Sequence, residues 1–223
     1  MKNRFEYRLI RSQRRTLALH ITREGKLEVR APLALPLSVI EAFLEKRQDW
    51  IARKLNRLWE VAPPLAKKGE PGELWLFLGK SYPLAYRSQP QAPVLLEDSL
   101  YLSESLRDNP LPFLLSWYLA QAADIFNQRL KTIYEQIDVT PTRIRLSNST
   151  SRWGSCSGKN SVNLAWRLVM APPEVIDYVI FHELAHIKHH NHSAAFWAEV
   201  ALHVPDYKLR RRWLRDNGNT LIL

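Results

Sequence analysis

The stretch Pro172-Pro173-Glu174-Val175-Ile176-Asp177-Tyr178-Val179-Ile180-Phe181-His182-Glu183-Leu184-Ala185-His186-Ile187-Lys188 decides how the chain is read. The two prolines suit the start of a helix, where a missing N–H costs nothing. Val175 and Val179 then fall on the face that carries His182 and His186, with Ile176, Ile180 and Ile187 on an adjacent one, so the helix is expected to be buried. Four residues advance a helix by about 400° and about 6 Å. His182 and His186 therefore leave the same face one turn apart and can share a metal ion. Glu183 sits beside the first histidine, placed to hold a water on that metal and take its proton. Two imidazoles and a carboxylate on an apolar helix are costly to bury unless something satisfies them, and a metal would.

A catalytic zinc takes three protein ligands and keeps a fourth position for water. The further candidates are His189, His190, His192, Glu199 and His203. His189 shares the face of His186, but three ligands up one straight helix cannot splay into a tetrahedron. The third is expected from off the helix. His192 supplies it if the helix ends near His190, with Asn191 in the left-handed conformation and Ser193 capping the next helix. Glu199, on that following helix, is the next candidate. His189 and His190 are read as solvated, His203 and His20 as structural.

Working outward, residues 161–168 alternate, with Val162, Leu164, Trp166 and Leu168 on one side, which predicts a strand. As an edge strand it would offer main-chain groups to an extended peptide. A strand is also expected at 143–146. Asn109-Pro110 opens a long helix whose Trp117, Ile125, Phe126, Leu130, Ile133 and Ile137 face a core. Further upstream, short strands are expected at 74–78, 82–86, 94–96 and 100–102, divided by Gly79-Lys80, Pro90 and Asp98-Ser99. A hairpin is expected at 17–29 around Glu24-Gly25. Ser38 is read as the cap of one helix carrying Ile40, Phe43, Leu44, Trp50, Ile51, Leu55 and Leu58 to about Glu60, where Pro63-Pro64 stop it. The fold class is α+β, with a β-rich subdomain and its helix over 1–105 and a catalytic domain of helices packed on a small sheet over 106–223.

The single cysteine, Cys156, excludes an internal disulfide and fits a reducing compartment. Residues 1–20 are basic without an apolar run, so no secretory signal is expected, and the apolar segment 113–126 is too interrupted to span a membrane. Cytoplasm is the expected location. The net charge of +10 is uneven: residues 1–60 hold fourteen Lys/Arg against seven Asp/Glu, 61–206 thirteen against fourteen, and 207–223 five against one. Basic flanks can hold an anionic partner such as nucleotide or nucleic acid, or simply form a solvated surface.

Arg152-Trp153-Gly154-Ser155-Cys156-Ser157, Val162-Asn163-Leu164 with Arg167-Leu168, Pro173, Asp177-Tyr178-Val179, His182 to His186, and His192-Ser193 with Phe196-Trp197 together resemble the YgjP-like metallopeptidase family, kin to the SprT-like proteases. Val29-Arg30-Ala31-Pro32 and Trp50-Ile51 extend the likeness to the N-terminal region. The resemblance implies a zincin-type fold and a third histidine ligand six residues after the second, which falls on His192. Metzincins share that spacing but place Gly where this chain has His189.

Three functions are compatible with these features. The first is a zinc metallopeptidase acting on polypeptide, with Zn2+ or another divalent ion on His182, His186 and His192 and Glu183 as general base. The second is a metal-dependent nucleoside triphosphate pyrophosphohydrolase whose basic flanks hold phosphates. The third, ranked last for want of a recognised DNA-binding motif, is a DNA-associated SprT-like protease, which the family kinship and the Arg210-Arg211-Arg212 run would allow. Cys156 as an inhibitory thiolate, and Arg152, Arg167 and Tyr207 as oxyanion donors, are secondary readings, each taken as structural.

Overall fold

The structure, a computed structural model, describes residues 5–22, 26–60, 67–88 and 91–223. The Glu24-Gly25 turn, Pro63-Pro64, Pro90 and the side chain of Leu58 lie outside the described residues. The chain is α+β and divides into two compact units, Met1–Leu65 and Ala66–Leu223.

In the first unit, β2 (Ala18–Ile21) pairs antiparallel with β3 (Leu27–Pro32), which pairs parallel with β1 (Tyr7–Ser12). Leu27, Val29 and Ala31 alternate inward along β3 and are buried. The expected single helix is two: α1 (Leu37–Lys46) and α2 (Gln48–Glu60). Arg47 leaves the helical region at φ −109° and ψ 8°, its N–H turned back to Leu44 O. A continuous helix over 37–60 would run about 36 Å, against about 20 Å for six-residue strands. The break keeps Ile51 in the same core as Ile40 and Leu44. Ser38 is not the cap, since Pro36 holds that position and no side chain caps the helix, and Trp50 is 38% exposed rather than core.

The second unit begins with a sheet in the order β4-β5-β7-β6, formed by Leu74–Phe77, Lys80–Arg87, Leu100–Ser103 and Val94–Leu96. Leu78 and Gly79, both at positive φ, make the two-residue turn between β4 and β5. A Cβ on Gly79 would lie 2.8 Å from Pro172 Cγ, so only glycine lets this turn sit against the start of the next helix but one. Leu84, Leu100 and Leu102 of this sheet share one buried core with Leu114, Tyr118, Ala122 and Phe126 of α3 (Leu111–Tyr134). That shared core is why the compact units divide at 65/66, whereas the sequence suggested 105/106.

A second sheet has the order β8-β10-β9, from Arg143–Ser147, Ser161–Ala165 and Gly154–Cys156. Strand β10 is central, parallel to β8 and antiparallel to β9, so the expected free edge at 161–168 is absent. The outer strands are β8 and β9. The strand expected to reach Leu168 stops at Ala165, and Trp166–Met170 form a 3₁₀ segment with Trp166, Leu168, Val169 and Met170 buried. Its carbonyls are taken by the β4–β5 turn, Leu78 N–H to Val169 O at 2.9 Å and Gly79 N–H to Met170 O at 3.0 Å. A partner distant in sequence, the turn before β5, thus turns an alternating pattern into a helical turn. Three helices complete the unit: α4 (Pro173–Lys188), α5 (Ala194–His203) and α6 (Tyr207–Asn217). Among the described residues no helix is long and apolar enough to cross a membrane.

Candidate metal centre

Helix α4 is buried along most of its length, with Val175, Ile176, Val179, Ile180 and Leu184 in the core. Arg129 of α3 donates to both oxygens of Asp177 at 2.7 Å and fixes the helix against its neighbour. His182 and His186 leave the same face, ring centroids 5.1 Å apart. The helix ends at Lys188, and His189 is extended at φ −131° and ψ 100°. The expected left-handed Asn191 is not found: among the described residues other than glycine only Leu78 and Asn160 have positive φ. The chain turns instead through side chains. Asn191 Oδ1 accepts the Ser193 N–H at 3.2 Å, and Ser193 Oγ accepts the Phe196 N–H at 3.3 Å, capping α5 as expected.

This turn carries His192 back onto α4. His192 Nε2 lies 3.1 Å from His182 Nε2, and ligand nitrogens of His182, His186 and His192 all fall within 4.8 Å of one another. Tetrahedral zinc at its usual Zn–N distance places ligand nitrogens about 3.4 Å apart. The trio fits such an ion with small side-chain adjustments. His186 Nδ1 lies 3.1 Å from His189 O, which, with the proton on Nδ1, frees Nε2 for the cluster. His182 Nδ1 is buried without a partner. Burial first, then the positive charge of His186, His192 and Arg211, pushes the His182 pKa down to about 3, so the ring is neutral and its lone pair available. Phe196, wholly buried, lies 4.5 to 4.9 Å from all three imidazoles by ring centroid and forms the floor beneath them.

Glu183 is the one buried acidic or basic side chain among the described residues. Burial raises its pKa to about 7, while the Arg152 charge and a hydrogen bond from the Cys156 N–H pull it back. Strand β9 shapes this pocket. The Trp153 carbonyl accepts from Ala165 at 2.8 Å and the Ser157 N–H donates to Ser161 at 2.9 Å, so these alternate residues face β10. The Cys156 N–H turns the other way, to Glu183 of α4. A Cβ on Gly154 would lie 2.5 Å from Glu183 Cγ and Oε1. Glycine is required there by space alone.

The remaining candidates fall elsewhere. Glu199 is held by Lys188 at 2.8 Å and faces His203 at 3.7 Å, outside the cluster. His203 stacks on Phe181 at 5.0 Å, and His20 lies 3.6 Å from Glu28. Arg167 donates to Asn148 Oδ1 at 2.8 Å. Cys156 is not among the clustered ligands, and burial followed by Glu183 raises its thiol pKa.

Residues 15–217 match the family described as YgjP-like, metallopeptidase domain. The chain belongs to that family. Comparison with curated proteins and with solved structures finds no match. Membership supports a hydrolase of the metallopeptidase class, and with it a protein substrate.

The centre of this YgjP-like chain opens into a cleft of about 640 Å³ whose walls include Arg152, Trp153, Tyr178, Trp197 and Arg211. Of these the sequence offers only Arg152 as a candidate, for an oxyanion, and there it is read as structural. Gly154 and Trp197 stand inside the motifs quoted above, but their roles follow from contacts that no local pattern encodes. The Arg210-Arg211-Arg212 run is divided by helical phase: Arg210 pairs with Glu174 at 3.2 Å and with Asp206, whereas Arg211 lies over the Trp197 ring at 5.2 Å.

Proposed function

We propose that this chain is a zinc-dependent peptidase in which His182, His186 and His192 hold the ion and Glu183 is the general base. The observation that carries the reading is the convergence of three histidine ligand atoms within 4.8 Å, beside a buried carboxyl. A divalent ion bound there supplies Lewis acidity, making water nucleophilic near neutral pH and polarising the substrate carbonyl. Glu183, buried beside the three histidines, accepts the water's proton and can return it to the departing amine. As an outer strand of its sheet β9 offers main-chain groups to an extended polypeptide, so the strand-addition role expected of 161–168 passes to β9.

A second reading is favoured by the arginines of the cleft. Arg152 and Arg211 suit phosphate as well as carboxylate, as hydrolysis of a nucleoside triphosphate would require. One experiment separates the two. Metal-free protein, zinc-reconstituted protein and zinc-reconstituted Glu183→Gln are assayed in parallel on unfolded casein and on a nucleoside triphosphate panel. The peptidase reading expects casein cleavage that needs zinc and falls about 100-fold in the variant. Metal-dependent, Glu183-dependent release of pyrophosphate with casein untouched would replace it by the second.

A further inference from the structure

The walls of the cleft are charged with one sign. Arg152, Arg211 and Arg215 line it, and Glu183, which is committed to the centre, is the single acidic residue among its lining residues. Arg215 is partly neutralised by Asp216 at 2.9 Å. For Arg152 and Arg211 no carboxylate lies within ion-pair distance among the described residues, whereas Arg210, next in sequence, has two such partners. Both guanidinium groups are exposed at the mouth of the cleft, yet Arg211 is held in place. It lies 5.2 Å over the Trp197 ring, and Trp197 in turn stacks with Tyr207 at 5.0 Å and with His192 at 5.6 Å. The stack ends on a candidate metal ligand, so a group bound by Arg211 sits beside the reacting bond and not at a remote patch.

We propose that Arg211, with Arg152, forms a subsite that selects a carboxylate on the peptide substrate adjacent to the bond cleaved. This rests on the peptidase reading above and names its substrate class. A guanidinium held over an indole ring keeps its N–H fork free and loses less conformational freedom when a carboxylate docks. The carboxylate can come from an Asp or Glu side chain or from the C-terminus of a short peptide, and the chemistry of recognition is the same.

The test measures binding apart from turnover. Zinc-loaded Glu183→Gln is titrated, following tryptophan fluorescence, with capped heptapeptides carrying Glu or Gln at one scanned position. A capped all-Gln peptide and the same peptide with a free C-terminus complete the set. Binding about tenfold tighter for Glu than for Gln at one position, or for the free over the amidated terminus, is expected, and says which carboxylate is read. The preference should shrink as salt rises. Adding Arg211→Gln or Arg152→Gln to this background should bring the ratio toward one with zinc content unchanged. Arg211→Lys should keep part of it and Arg212→Gln all of it. Equal affinity for Glu and Gln at every position and for both termini overturns the proposal, as does a preference untouched by both arginine variants. Inorganic triphosphate bound tightly in an Arg211-dependent manner, with no peptide preference, assigns the subsite to phosphate and overturns it as well. Casein cleavage by the zinc-loaded wild type is scored separately, so a peptidase lacking this selectivity is distinguished from a protein that is no peptidase.

Discussion

Glu183 is buried with partial compensation, the Cys156 N–H and the charge of Arg152, and its carboxyl is raised from 4.5 to about 7. In the metal-free protein this makes a pH-dependent cost. Below about 4.5 both folded and unfolded states are protonated and the burial is harmless. As pH rises toward 7 the unfolded state ionises first, and stability is lost up to about 3 kcal/mol above the folded pKa. Chelator-treated Glu183→Gln is therefore expected to melt higher than chelator-treated wild type at pH 8, with the gap closing near pH 4.5. A gap independent of pH would show that the carboxyl is not displaced. Gly154 makes a second prediction. A methyl group 2.5 Å from Glu183 Cγ forces the carboxylate or β9 to move, and a misplacement of about 1 Å costs about 100-fold in rate. Gly154→Ala should lose turnover on that order while retaining zinc, read by casein assay and metal analysis on the same sample.

At the scale of elements, the centre depends on the join between α4 and α5. The sequence located both helices and the Ser193 cap, because periodicity and capping are local properties. It placed the end of α4 two residues late and gave Asn191 the wrong conformation. Where the chain leaves a helix depends on which partners take its last polar groups, here His189 O facing His186 and Asn191 Oδ1 accepting from Ser193. His192→Ala is expected to weaken zinc retention sharply, since two imidazoles hold a divalent ion poorly, and to make activity depend on added zinc. Glu199→Gln should leave zinc content unchanged, because Glu199 is engaged with Lys188 and His203. Equilibrium dialysis followed by metal analysis distinguishes the two, and the reverse result would move the third ligand to α5.

Across the whole molecule the two units have separate cores, one around Val29, Ile40 and Ile51 and one around Phe126, Leu164 and Ile180. A chain without residues 1–65 is expected to melt cooperatively and to hold one zinc, checked by calorimetry and metal analysis. If the basic N-terminal region serves an anionic partner, the same truncation should abolish salt-sensitive binding of a short duplex. Flat salt dependence in the full chain would leave that charge as surface only. The His182-to-His186 spacing, the buried character of α4, the β2–β3 hairpin and the α+β class were legible in the sequence, because helical and strand periods are written in consecutive residues. The split at Arg47, the 3₁₀ turn at 166–170, the central place of β10 and the membership of the 74–103 sheet in the second core were not. Each is settled by packing beyond the local chain: Ile51 in one core with Val29 and Ala31 of β3, the Leu78-Gly79 turn on Val169 and Met170, β8 and β9 on either side of β10, and α3 against the sheet. The same reason separates the two halves of the site. Histidines four to ten residues apart can be paired from the sequence, whereas Gly154 under Glu183 and Arg211 over Trp197 meet only because tertiary packing brings β9 and α6 to the metal helix.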